Sequence, residues 1–157
     1  MGRFYHHAEL VEQRQRWRLE GKAVVFTDGC FDLLHPGHVS TLEAARSLGG
    51  VLVLALNSDA GASRMKGPSR PIVCEQDRVD LALALEAVDA VTLFDEETPR
   101  ALIAAVLPDV LVKGADWSHF VAGREEVEAA GGKVVNLPLD GSFSTTNIVN
   151  VISGRHS

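Results

Sequence analysis

The feature that most limits what this chain can fold into is its alternation of short apolar runs with stretches of helical spacing, from Ala23 to the end. Ala23-Val24-Val25-Phe26-Thr27 is continuous and apolar, the pattern of a strand buried on both faces. Val51 to Leu56, Ala90 to Phe94, Val110 to Val112 and Lys133 to Leu137 read the same way. Helices are predicted over Val39 to Leu48, Glu75 to Val88, Pro99 to Val106, Glu125 to Ala130 and Thr145 to Ile152. Gly49-Gly50 and Gly131-Gly132 supply stops, and Pro99 suits a first turn. The body of the second helix is unusually apolar, through Val79, Leu81, Leu83 and Leu85. Such alternation implies an α/β domain, a doubly wound five-stranded parallel sheet with right-handed crossovers and helices on both faces. Residues 1–20 read as an added helix on the domain edge, with Leu10, Val11, Trp17 and Leu19 as its apolar positions, and 21–157 as one domain.

Composition narrows the partners. With 157 residues and 46% hydrophobic content the chain can bury one ordinary core, and no apolar run approaches a membrane span. Met1 to Gly21 is polar and charged, without a signal-peptide core, so a cytoplasmic protein is expected. A net charge of −6 argues against an extended nucleic-acid interface, so cations for a small anionic ligand must converge at one site. Cys30 and Cys74, far apart and outside any CxxC pair, read as reduced thiols rather than a scaffold.

In an open parallel sheet, ligands sit beyond the carboxyl ends of the strands. The loops there hold the unusual residues: Asp28 to His38, Asn57 to Pro71, Lys113 to His119 and Asp140 to Thr146. In the first, Gly29 lets backbone approach a ligand, and a helix begins near Pro36-Gly37, offering N–H groups and a positive dipole end to an anion. His35 and His38, three apart across that first turn, can point at one phosphate group. Two rival readings stand beside this. A metal site would need further ligands, and only Cys30 or His119 offer themselves, at no recognised spacing; the histidines would otherwise be incidental to a capping turn. Neither a Walker A sequence nor a GxGxxG fingerprint is present, so phosphate handling needs another scheme, which HxGH provides.

Gly29-Cys30-Phe31-Asp32 leading to His35-Pro36-Gly37-His38, with Ser144-Thr145-Thr146-Asn147-Ile148 near the end, resembles the cytidylyltransferase-like nucleotidyltransferases and their Rossmann-like fold. Asn57-Ser58-Asp59, Met65-Lys66-Gly67 with Arg70-Pro71, Leu107-Pro108-Asp109 and Leu111 to Asp116 extend the likeness over roughly residues 20–153. Together they resemble the branch that adenylylates D-glycero-β-D-manno-heptose 1-phosphate, found alone or as the C-terminal domain of a bifunctional synthase. The resemblance implies AMP transfer from ATP, with Mg²⁺ on the triphosphate, to a sugar 1-phosphate, giving ADP-heptose and pyrophosphate, in a homodimer. A chain standing alone would depend on a separate kinase for its substrate. The alternatives are a cytidylyltransferase acting on glycerol 3-phosphate or another alcohol phosphate, and a non-catalytic nucleotide-binding subunit.

The same resemblance implies roles. His35, His38 and Lys66 would act on the reacting phosphates. Thr27, Gly29, Cys30, Phe31, Lys113, Gly114 and Asp116 would surround the nucleotide, with Ser144, Thr145 and Thr146 on the triphosphate. Asp32, Lys66, Arg70 and Arg78 would hold the sugar phosphate, with loop positioning as a second reading of Asp32. Trp117 and His119 would be loop packing. Two departures stand out. Asp28 replaces the family's usual Asn, and the position of an Arg that reads cytosine falls at Leu139. Loss of that planar donor disfavours CTP relative to a purine nucleotide.

Overall fold

The computed structural model describes residues 2–114, 121–137 and 145–154. In chain order the elements are β1 (Arg3–Phe4), α1 (His7–Leu19), β2 (Val24–Gly29), α2 (Pro36–Arg46), β3 (Val51–Asn57), α3 (Asp59–Lys66) and α4 (Glu75–Leu83). They continue as β4 (Ala90–Phe94), α5 (Arg100–Val106), β5 (Val110–Gly114), α6 (Arg124–Ala129), β6 (Lys133–Leu137) and α7 (Thr145–Ser153). All strand pairs are parallel, in the order β1-β4-β3-β2-β5-β6.

The expected parallel sheet is therefore present, with six strands in place of five. The sixth is β1, where Arg3 and Phe4 pair with Ala90 and Val91 of β4. Two residues carry no legible period, and this strand exists because Tyr5 is buried and its N–H bonds to the Val91 carbonyl. Side chains alternate between two cores, as strand geometry requires. β3 sends Val51, Val53 and Ala55 to one, and Leu52, Leu54 and Leu56 to the other. The first core is covered by α1, α5 and α6, the second by α2 and α4.

Residues read from the sequence as an edge helix enter the first core directly. Leu10 and Trp17 pack in the same cluster as Val24 and Phe26, while Leu19 is 88% exposed. Arg14, also buried, bonds the Val106 and Leu107 carbonyls at the end of α5 and pairs with Asp109 at 3.1 Å. Asp109 in turn accepts the Val24 N–H at the start of β2, so α1, α5 and β2 are tied at one point.

Two helices differ from their sequence reading. α4 stops at Leu83, and Ala84 to Val88 runs on as turns, with Leu85 N–H bonding Ala82 and Val88 N–H bonding Leu85. Leu81 is exposed, so its apolar body faces water in part. α3 lies in what reads as loop; Ser58 caps it by accepting the Gly61 N–H, and Gly67, at φ 104°, ends it. Lys66 therefore sits on the last turn of a helix. No helix among the described residues is long and apolar enough to cross a membrane.

The α1 packing yields a stability prediction. Trp17→Ala should destabilise the domain by about 3–5 kcal/mol, read as a lower urea midpoint at unchanged slope.

Candidate active site

The chain reverses direction across the sheet between β2 and β5, where the pairing is short: Val25 with Val110 and Phe26 with Leu111. β2 pairs with β3 over six positions by contrast. The crevice beyond that switch point is a cleft of about 420 Å³, within the usual range for small-molecule sites. Thr27, Gly29, Cys30, Phe31, Asp32, His38, Lys66, Lys113, Gly114 and Thr145 line it, so most of the expected site residues converge.

The β2–α2 loop shapes its floor. Phe31 adopts a left-handed backbone at φ 50°, and a Cβ on Gly29 would meet its ring at 2.7 Å. Asp32 lines the cleft but is buried. It accepts the Ile72 and Val73 N–H groups at 3.0 and 2.8 Å and Arg70 Nε at 2.8 Å. Burial alone would raise its pKa, but the Val73 and Ile72 amides and the Arg70 guanidinium outweigh that and hold it below the usual carboxylate range. Of its two expected roles, the geometry is that of loop positioning.

Arg70 and Arg78 do not line the cleft. Arg78 donates to the Val73, Cys30 and Asn57 carbonyls at 2.9, 2.9 and 2.7 Å, and to Asp59 at 3.0 Å. This buried guanidinium clamps the ends of β2 and β3 to α4. Arg70 is likewise buried behind Asp32.

The two histidines are stacked, with ring centroids 3.8 Å apart and planes 16° apart. Each caps the other's backbone: His35 Nδ1 accepts the His38 N–H at 3.4 Å, and His38 Nδ1 accepts the His35 N–H at 3.3 Å. With Nδ1 accepting, a neutral ring carries its proton on Nε2 and is a donor there. The start of α2 thus offers fewer backbone donors than its sequence implies. Pro36 has no N–H, and the His38 N–H is taken within the turn. Burial, with the neighbouring His35 and Lys66, pushes the His38 pKa down to about 4, so the ring is neutral at pH 7. Phe31 packs beside it, ring centroids 4.8 Å apart.

Elsewhere, burial pushes the Cys30 thiol up, while Cys74 is exposed at the start of α4. Lys113 pairs with Asp28 across the crevice. Thr27 Oγ1 donates to the Val112 carbonyl and Thr145 Oγ1 to that of Leu33, docking α7 on the histidine loop. Thr146 is exposed and outside the lining. Asp116, Trp117, His119, Leu139 and Ser144 lie outside the described residues. Sequence reasoning missed Glu97, Thr98 and Pro99, which line the cleft from the β4–α5 loop. Their position after a strand was the available signal. Among the described residues no three His, Cys, Asp or Glu side chains gather to hold a metal.

This arrangement, a stacked histidine pair at the switch point of a parallel sheet, agrees with what comparison finds. The cytidylyltransferase-like family profile matches residues 26–154, and the chain belongs to that family. It is 52% identical over 145 residues to the bifunctional protein HldE of Methylobacillus flagellatus, covering 92% of this chain and 30% of that protein. The bifunctional protein HldE of Pectobacterium atrosepticum is 50% identical over 153 residues, covering 97% and 31%. The chain therefore spans about 30% of the length of these relatives. Among solved structures, the lipopolysaccharide core biosynthesis protein from Thermoplasma volcanium matches with a TM-score of 0.62 at 29% identity, covering 76% of this chain and 98% of that one. Pantothenate synthetase from Thermus thermophilus shares the fold, with a TM-score of 0.62 at 20% identity, covering 99% and 70%.

The depressed His38 pKa sets a pH dependence. The unfolded chain takes up this proton below about pH 6.5 and the folded one only near pH 4, so stability falls as pH drops through that window. His38→Gln should flatten the loss of urea midpoint between pH 6.5 and 4. Asp32 adds its own loss only below its ordinary pKa of 3.8.

Proposed function

We propose that the protein transfers AMP from ATP to a sugar 1-phosphate, D-glycero-β-D-manno-heptose 1-phosphate, giving ADP-heptose and pyrophosphate. The observation that carries this reading is the stacked His35–His38 pair, each ring held through Nδ1 so that Nε2–H is its donor. A sugar-phosphate oxygen attacks the α-phosphorus in line, a new P–O bond forms, and the bond to the β-phosphate oxygen breaks with pyrophosphate carrying off the electron pair. The attacking monoester is largely a dianion at pH 7, so no general base is needed. Catalysis then rests on positioning and on donors aimed at charge developing on the α-phosphate.

His38 suits that task because its neutral ring keeps the Nε2 proton and donates from it. Lys66, on the last turn of α3 and in the cleft lining, supplies positive charge. Thr145, at the start of α7, lines the cleft as well. Mg²⁺ accompanying the triphosphate would be held with help from a cleft carboxylate such as Glu97. When bound it would offset triphosphate charge. The preference for ATP rests on Leu139 in place of a cytosine-reading Arg. A homodimer is part of the same reading, and sedimentation equilibrium would test it.

The direct test is pyrophosphate release from ATP, CTP and GTP with heptose 1-phosphate. ATP should be preferred; faster turnover with CTP overturns the choice of nucleotide, and nucleotide binding without any release overturns catalysis. His38→Ala should lower kcat by about 10²–10³.

A further inference from the structure

Among the described residues, the cleft lining holds two cationic side chains, Lys66 and Lys113, against the carboxylates of Asp28, Asp32 and Glu97, little positive charge for a polyphosphate. Asp32 is occupied by Arg70 and the loop amides. Asp28 is different. It sits near the end of β2, and continuing the register of Val25 with Val110 brings it beside Lys113 of β5. The two side chains form an ion pair and are only 16% and 12% exposed. Water screens such a pair weakly, and to an approaching anion it is a dipole rather than a cation.

We propose that Asp28 sets the affinity of the cleft for polyphosphate, by competing with it for Lys113 and by opposing its charge. This rests on the nucleotidyl-transfer reading for the identity of the ligand. When a triphosphate enters, the Lys113 ammonium turns to a phosphate oxygen and the Asp28 carboxylate loses its partner in a half-dry crevice. That penalty is subtracted from binding. It is recovered when pyrophosphate leaves and the ion pair re-forms, so Asp28 favours release of the product as well as restraining the substrate. Asp28 is thus a positioning residue, acting on the ligand through Lys113 and through its own field.

Titration calorimetry with ATP, inorganic pyrophosphate and adenosine tests this on the full chain. Asp28→Asn should tighten ATP and pyrophosphate about tenfold, and leave adenosine unchanged. Lys113→Gln should weaken both polyphosphates and also spare adenosine. Should the Asn variant fail to fold, Asp28→Ser makes the same comparison. Unchanged or weaker ATP binding by the Asp28 variant, an equal gain for adenosine, or Lys113→Gln with unaltered ATP affinity would each overturn the proposal. A wild-type chain that binds no nucleoside triphosphate would instead overturn the nucleotidyl-transfer reading itself.

Discussion

The buried carboxylate of Asp32 is the constraint on which the rest of the site depends. Its donors, Arg70 and the amides of Ile72 and Val73, come from the far side of α3. A charge can stay buried only when it is paired and hydrogen-bonded. The β2–α2 loop must therefore lie against the segment before α4. Arg78 reinforces the junction, bonding carbonyls that belong to the ends of two neighbouring strands. Together they fix Phe31 and, through its ring, the side of His38. The cleft's shape thus comes from buried charges, of which Arg70 and Arg78 stand outside its lining.

This explains which parts of the protein were legible in its sequence. Strands β2 to β6 were, because burial on both faces leaves a continuous apolar run that few other structures produce. So was the histidine loop, since glycine, two histidines and a helix start arrived in the order that a strand-end ligand site requires. β1 was not: two residues have no period, and their pairing with β4 is decided by the burial of Tyr5. α3 was hidden by its own composition, with Gly61 in its first turns and few apolar residues, although Ser58 and Gly67 marked its ends.

The arginines illustrate a different limit. Sequence position beside a phosphate-handling loop cannot tell a guanidinium that meets ligand from one that meets backbone carbonyls, because both need five donors and a fixed plane. Arg78 is of the second kind in this fold. The histidines carried the converse surprise. They were expected to stand on a helix start rich in unused amides, yet they consume part of that supply themselves. The depressed pKa of His38 keeps its imidazole neutral at physiological pH.

The edge strand β1 has a consequence for how the chain reaches this structure. Arg3 and Phe4 have no partner until Ala90 and Val91 exist and are already paired to β3, a separation of more than half the chain. Contacts this distant in sequence are slow to form. During synthesis, Tyr5, Leu10 and Trp17 must wait while the segments that cover them are still being made. This stretch is covered well after it is made, and its apolar face stays open in the meantime.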